Sequence, residues 1–173
     1  MDTMPKNTAA IGPDEITSPL LLQLLALWES KRTHERIPAR ADLDPVELKF
    51  ILGRLLILDV LPGPRFRFRL HGSKLTEVAG YDMTGRFVDD LPHPENRRTL
   101  VARCKALLRS GEPMSVTLER PVDGRRFSYE ALWLPLASDG IEVDMLMCGL
   151  IYLNNWAEAR PDRSPVAEKR GVG

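Results

Sequence analysis

Residues 55–91, LLILDVLPGPRFRFRLHGSKLTEVAGYDMTGRFVDDL, decide the fold of this chain. Apolar side chains alternate with others on both sides of Pro62-Gly63-Pro64, and this period of two is typical of β-strands. The prolines favour a tight turn because they fix φ and lack a backbone donor. A three-residue loop places Asp59 opposite Arg67, so that charged side chains meet on one face and apolar side chains on the other. The stretch therefore predicts an antiparallel hairpin whose register is set by its own side chains.

The helices and strands after the hairpin follow from apolar spacing and from turn residues. Residues 73–78 favour a short helix that Gly80 ends, and a longer amphipathic helix is predicted from Glu95 to a terminal Gly111. Alternation and hairpin signals predict three further strands, at 114–119, 127–136 and 145–153. Together with the opening hairpin they make a sheet of five strands.

The part of the chain before the hairpin is predicted to be helical. Residues 1–17 show no period and predict a flexible N-terminal tail. Ser18-Pro19 favours a helix start, with serine as the N-cap, and Asp44-Pro45 favours a second, short helix up to Leu52. One stripe of the first helix is apolar and consists of Leu20, Leu21, Leu24, Leu25 and Trp28. We therefore divide the chain into a tail (1–17), a helical extension (18–52), a sheet domain (53–156) and a flexible C-terminal tail (157–173).

The apolar stripe of the first helix needs a surface to cover it. The strands predicted over 127–136 and 145–153 are apolar on both faces, so one of their faces also needs a cover. We expect the first helix to pack there, either on its own chain or across a homodimer that uses the same patch twice. The predicted contact residues on the sheet are Leu132, Leu134, Leu146, Leu150 and Tyr152.

The order of these elements resembles the front half of a PAS sensory domain, with Thr84-Gly85 as its characteristic turn and Asp90-Leu91 as the step that follows. A group of small stand-alone bacterial PAS proteins is similar over roughly residues 20–155. The positions that carry this similarity are Trp28, Pro38, Arg40-Ala41-Asp42, Asp44-Pro45 and Arg69-Leu70-His71-Gly72. The resemblance implies an α+β fold in which a five-stranded antiparallel sheet has short flanking helices and an N-terminal helical extension.

A PAS sheet curls around its short helices, so the resemblance also implies an apolar space on the inner face. The side chains expected there suit a small ligand, but they equally suit a filled core, which we favour. The predicted set is Phe66, Phe68, Leu75, Tyr81, Phe87, Val101, Cys104, Met114, Val116 and Met147. No cofactor is expected, although an unidentified small apolar ligand stays open.

Charge and composition argue against several classes of partner. Lysine plus arginine equals aspartate plus glutamate, at 24 each, so no net field attracts nucleic acid or a membrane surface. No apolar run is long enough to span a bilayer, and the N-terminus lacks the regions of a signal peptide, so we expect a cytoplasmic protein. Alternation places Arg65, Arg67 and Arg69 on one face of the strand, and Phe66 and Phe68 lie on the other. Nucleic-acid bases therefore could not stack on the phenylalanines while the phosphates contact the arginines. We expect these arginines to pair with Asp59 and other acids.

The sequence offers no arrangement of reactive groups typical of an enzyme. His34, His71 and His93 have no cysteine or second histidine nearby at metal-ligand spacing, and we expect His71 to cap a backbone group at a strand end. Flavin-based light sensors of the PAS type need a cysteine just before the long helix, where this chain has none. Cys104 and Cys148 fall inside regular elements and are expected to be buried thiols. We therefore predict no catalytic residue, no metal and no enzymatic activity.

The resemblance and the missing output domain lead to one preferred function and two alternatives. We expect a cytoplasmic sensor or adaptor that forms a homodimer and signals by contact with a protein such as a histidine kinase or another regulator. A small-molecule receptor is the first alternative. A small cone-fold isomerase or dehydratase is the second, and it would need an acid–base pair inside the pocket that we cannot place.

Overall fold

The computed structural model describes residues 10–11, 15–122 and 125–153. The helices in these ranges are α1 (Pro19–Lys31), α2 (Ser73–Ala79) and α3 (Pro94–Ser110). The strands are β1 (Ala10–Ile11), β2 (Leu55–Leu61), β3 (Arg65–His71), β4 (Met114–Val122), β5 (Arg125–Leu136) and β6 (Met145–Tyr152). None of the described helices has the length and apolar character that crossing a bilayer requires.

All six strands belong to one antiparallel sheet with the order β1-β4-β5-β6-β2-β3. The five predicted strands are present, which confirms the α+β fold with a five-stranded antiparallel sheet, and β1 adds two residues along β4. Each face of the sheet carries its own hydrophobic cluster. We call the face under α1 the covered face, and the opposite face, enclosed by α2, α3 and the segment between them, the cup.

The opening hairpin has the predicted register. β2 ends at Leu61 and β3 begins at Arg65, so the loop has three residues and Asp59 lies opposite Arg67. The Asp59 carboxylate is buried and accepts hydrogen bonds from Arg67 Nη2 at 3.0 Å and from Arg69 Nε at 2.7 Å. Arg65 lies 3.7 Å from the carboxylate of Asp89, so the predicted pairing of the arginine row with Asp59 and other acids is confirmed.

Helix α1 is fixed at both ends to β5. Ser18 is its N-cap, as predicted, and Pro19 is the first helical residue. The buried carboxylate of Glu130 on β5 accepts hydrogen bonds from the backbone N–H groups of Thr17 and Ser18, at 2.9 and 3.1 Å, and from the Thr17 hydroxyl at 2.6 Å. Near the other end of the helix, Trp28 Nε1 donates to the carbonyl of Pro135 at 2.8 Å. These bonds hold the apolar stripe against the covered face.

The segment from Asp44 to Leu52 is not the predicted α-helix but a series of turns that ends in a 3-10 helix at Leu52–Arg54. The start signal is present, since Asp44 Oδ1 accepts from the N–H of Val46 and Glu47 Oε2 accepts from the N–H of Asp44. After that start, the N–H groups of Lys49 and Ile51 donate to the carbonyls three residues back, those of Val46 and Leu48, so the segment continues with 3-10-type bonds. Leu48 and Ile51 are buried as expected, whereas Leu52 is exposed.

Within the expected flexible tail over 1–17, the described residues 10–11 and 15–17 contact the sheet. Ala10–Ile11 pairs with Ser115 and Val116 of β4, Ile16 is buried, and Thr17 binds Glu130. Residues 10–11 pair with backbone groups along the outer edge of β4. Thr17 is held because the buried carboxylate of Glu130 needs hydrogen-bond donors. The tail predicted over 157–173 lies outside the described residues.

Candidate functional site

The cup is the inner face of the sheet, closed by α2, α3 and the segment 81–91. Gly80 ends α2 with φ 82° and Gly111 ends α3 with φ 63°, the left-handed conformation that glycine adopts without strain. These two helix ends were predicted from the sequence. Both helices direct their apolar stripes toward the sheet, where Leu75, Cys104 and Leu107 are buried.

Seven of the ten predicted pocket residues lie in the cup. Five of them are buried in its cluster, namely Phe66, Phe68, Leu75, Cys104 and Val116, while Val101 and Met114 pack against it half-buried. Tyr81 does not belong to the cup, because its side chain is 38% exposed. Phe87 is half-buried near the edge of β3, where the guanidinium of Arg65 lies 3.9 Å from the centre of its ring. Met147 lies on the covered face.

Strand β6 faces the opposite way from our prediction. Met147 pairs with Ile57 and Leu134 on the covered face, whereas Leu146, Leu150 and Tyr152 pack on the cup side. Three of the five predicted cover residues on the sheet are therefore wrong, and Leu132 and Leu134 are right. The physical reason is that MLMCGLIY is apolar at every position except one glycine, so the strand contains no polar residue to set its phase.

The cup also contains a buried donor that the prediction missed. Trp133 is 3% exposed, and its Nε1 has no hydrogen-bond partner among the described residues. A buried indole N–H normally finds an acceptor. Alternation along β5 could have located this residue, because Leu132 and Leu134 on the covered face place Trp133 on the other.

His71 caps a backbone group at the end of β3, as predicted. Its Nδ1 lies 3.3 Å from the backbone nitrogen of Met83, which donates, and 3.1 Å from the Thr76 hydroxyl. Since Nδ1 accepts from an amide, the ring is neutral with its proton on Nε2. Burial lowers the pKa of His71, and the nearby carboxylate of Asp82, 3.8 Å away, acts in the opposite direction. The imidazole thus ties β3 to the loop that follows α2.

Both cysteines are buried free thiols, as predicted, and both lie on the cup side. Burial raises the pKa of Cys104 to about 12 and raises that of Cys148 as well. A thiol with so high a pKa supplies almost no thiolate near neutral pH, and the thiolate is the reactive species. Neither cysteine has the properties of a nucleophile.

Two surface cavities of the described part lie outside the cup. The larger, of about 170 Å³, lies between the connector that follows α1 and the turn at 137–140. The smaller, of about 40 Å³, is bounded by Arg54, Lys74, Glu77 and Val78 and touches cup residues only at Leu75 and Tyr152. Inside the cup, Phe66, Phe68 and Val116 are buried in one hydrophobic cluster, which is the packing expected of a filled core.

Helix α1 covers its face of the sheet within a single chain. Leu21, Leu24, Leu25 and Trp28 are buried there, and Leu20 packs against the same cluster. An exposed ion pair adds a polar link, with Arg32 donating two hydrogen bonds to the Glu112 carboxylate at 2.8 and 2.7 Å. Its hydrogen bonds raise the pKa of Arg32 and lower that of Glu112.

Comparison with known proteins identifies the fold. A family model described as "PAS domain" matches residues 16–151, which include α1 and the sheet from β2 to all but the last residue of β6. The chain belongs to the PAS domain family. The PAS domain of BvgS from Bordetella pertussis is 16% identical, covers 64% of this chain and 85% of its own, and superposes with a TM-score of 0.50. A LOV protein of Rhodobacter sphaeroides is 16% identical over 68% of this chain and 72% of its own, with a TM-score of 0.46.

No functionally curated protein matches the sequence. At 16% identity and a TM-score of 0.50, the PAS domain of BvgS shares the fold with this chain and nothing finer. The family is a sensory one, and this PAS domain accordingly has the architecture of a sensing or signalling module.

Proposed function

We propose that this PAS domain is a cytoplasmic sensor or adaptor that signals by contact with other proteins and has no catalytic turnover of its own. The observation that carries the proposal is the packing of the cup, in which Phe66, Phe68 and Val116 are buried in one hydrophobic cluster. A domain with a filled interior communicates through its surface. A histidine kinase or another regulator is the kind of partner we propose.

The outer side of α1 supports a homodimer as part of this function. Leu22 is 45% exposed there, and Leu27 is only half-buried, so apolar surface remains after the helix has covered its own sheet. In a two-fold pair each helix would meet the same side of the other. Leu22→Asp should therefore give a monomer in light scattering that keeps the far-UV circular dichroism spectrum of the folded domain. A dimer that survives this change would contradict the contact.

The function is tested by native mass spectrometry of freshly purified protein, followed by reconstitution with a partner. We expect the mass of the polypeptide alone, mainly as a dimer. A partner that co-purifies from the source cells should bind the purified domain directly, and a kinase partner should change its autophosphorylation rate on binding. A stoichiometric visible chromophore, or turnover of a substrate by the domain alone, would refute the proposal.

The unpartnered Nε1 of Trp133 favours a second candidate function, that of a small-molecule receptor. An uncharged ligand with one hydrogen-bond acceptor could satisfy this donor inside an otherwise apolar cup. Such a ligand would appear as a defined added mass in the native spectrum, and its loss on Trp133→Phe would assign the contact. An unliganded spectrum together with unchanged stability of Trp133→Phe would argue against the receptor.

A further inference from the structure

Helix α3 carries a concentration of positive charge that the neutral composition of the whole chain conceals. Its seventeen residues, PENRRTLVARCKALLRS, include five cationic side chains and one carboxylate. The other described helices are close to neutral, since α1 contains one acid, Glu29, and one base, Lys31, and α2 contains Lys74 and Glu77. The balance of 24 cations and 24 anions in the chain is thus uneven in space.

Three of these cations form a straight stripe on the solvent side. Arg98, Ala102, Lys105 and Arg109 follow one another at intervals of four, three and four residues, which keeps them on one side of an α-helix, and all four are exposed. The stripe is about 16 Å long at the helical rise of 1.5 Å per residue. We call Arg98, Ala102, Lys105 and Arg109 the α3 stripe.

The cations of the α3 stripe are little neutralised by their own chain. Arg98 has an exposed contact of 3.5 Å with Glu95, and Lys105 and Arg109 have no ion-pair partner among the side chains that the structure describes. Exposed pairs of this kind contribute little. The side chains are thus available to a partner.

We propose that the α3 stripe binds an acidic amphipathic helix of the signalling partner. Ala102, in the middle of the stripe, lets a second helix approach closely between the cations, and carboxylates at the same spacing would face Arg98, Lys105 and Arg109. A second copy of this chain does not fit, because none of its described helices is acidic. The inference rests on the proposed function and names the chemistry of the partner.

The surroundings of the stripe fit a short acidic helix better than an extended polyanion. Asp89 and Asp90 are exposed in a 3-10 turn that contacts α3, and they would repel a phosphate backbone that continued past its N-terminal end. The only apolar side chain in the stripe is Ala102, which offers a bilayer nothing to insert.

The helix also connects the stripe to the cup. On the side opposite the stripe, Cys104 and Leu107 are buried against the sheet. Arg97 Nη1 donates to the carbonyls of Asp89 and Leu91, at 3.3 and 3.1 Å, which fixes the start of the helix. Only helix α3 itself would thus separate a partner bound on the α3 stripe from the core of the domain.

A stapled acidic helix of about 18 residues, with glutamates at the spacing of the stripe, is the direct probe. Fluorescence anisotropy with the full chain should show at least about tenfold tighter binding than for a scrambled peptide of equal charge. Charge reversal by Arg98→Glu, Lys105→Glu and Arg109→Glu should weaken binding at least about tenfold, and a lysine version of the peptide should bind this variant.

The matched control reverses three exposed cations elsewhere, Lys49→Glu, Lys74→Glu and Arg86→Glu, and should leave binding unchanged. Equal binding of the scrambled peptide, or an equal loss in the control variant, would overturn the proposal. Tighter binding of a DNA duplex or of phosphatidylserine vesicles, lost in the stripe variant, would also overturn it in favour of a phosphate ligand. These failures leave the proposed function standing if a protein partner still binds elsewhere on the domain.

Discussion

Removal of the Leu24 side chain tests whether α1 is an integral layer of the domain. Leu24 is fully buried, and its Cδ2 lies against the bare backbone of Gly149 on β6. Truncation of a buried leucine costs the transfer free energy of the lost groups plus that of the cavity left behind, which together reach about 2–5 kcal/mol. We expect Leu24→Ala to lower the free energy of unfolding by this amount.

Urea denaturation measures the effect as a lower midpoint with an unchanged slope. Leu52→Ala is the matched control, because Leu52 is 40% exposed and its truncation should change stability by no more than about 0.5 kcal/mol. A decreased slope or an early partial transition in Leu24→Ala would mean that α1 separates from the sheet before the rest unfolds. Equal effects of the two variants would refute the reasoning that α1 is part of the core.

Three further predictions concern the covered face, the cup and His71. In Gly149→Ala the new Cβ would lie 2.8 Å from Cδ2 of both Leu21 and Leu24, so we expect a loss of about 1–3 kcal/mol in thermal or urea unfolding. Adding Leu24→Ala should recover part of this loss, and strict additivity would contradict the contact. Val116→Trp should overpack the filled cup by about 1–3 kcal/mol or more, whereas an unchanged melting temperature would reveal space for a ligand. The pKa of His71 is lower in the folded than in the unfolded state, so the unfolded chain binds the proton first as the pH drops. The free energy of unfolding should therefore fall as the pH drops through about 6.5. It should level off below the folded-state pKa. His71→Asn keeps an acceptor for the Met83 amide and should abolish this step in a pH series of unfolding curves; an unchanged step would assign it to another group.

The hairpin and the helix ends were determined by the sequence alone. Strict alternation in RFRFRL, the two prolines beside Gly63, and the pairing of Asp59 with Arg67 left one register that separates charge from apolar surface. Gly80 and Gly111 likewise ended their helices where predicted, because glycine adopts the left-handed cap without strain. In these places the information is local, and a few neighbouring residues decide the outcome.

Only the tertiary structure decided the phase of β6 and the contents of the cup. An apolar strand that is buried on both faces gives no periodic signal in the sequence. Leu146 rather than Met147 faces the cup because of the way in which β6 pairs with β2 and β5. Tyr81 also left the predicted pocket, and an unpartnered Trp133 lies in the cup instead. The burial of Glu130 beneath the start of α1 could not be predicted from the sequence. Its hydrogen-bond donors, on Thr17 and Ser18, are more than a hundred residues away along the chain. Contacts between distant segments settle these positions, and the physical reason is that each side chain must find its partner or its apolar neighbours across the fold rather than along the chain.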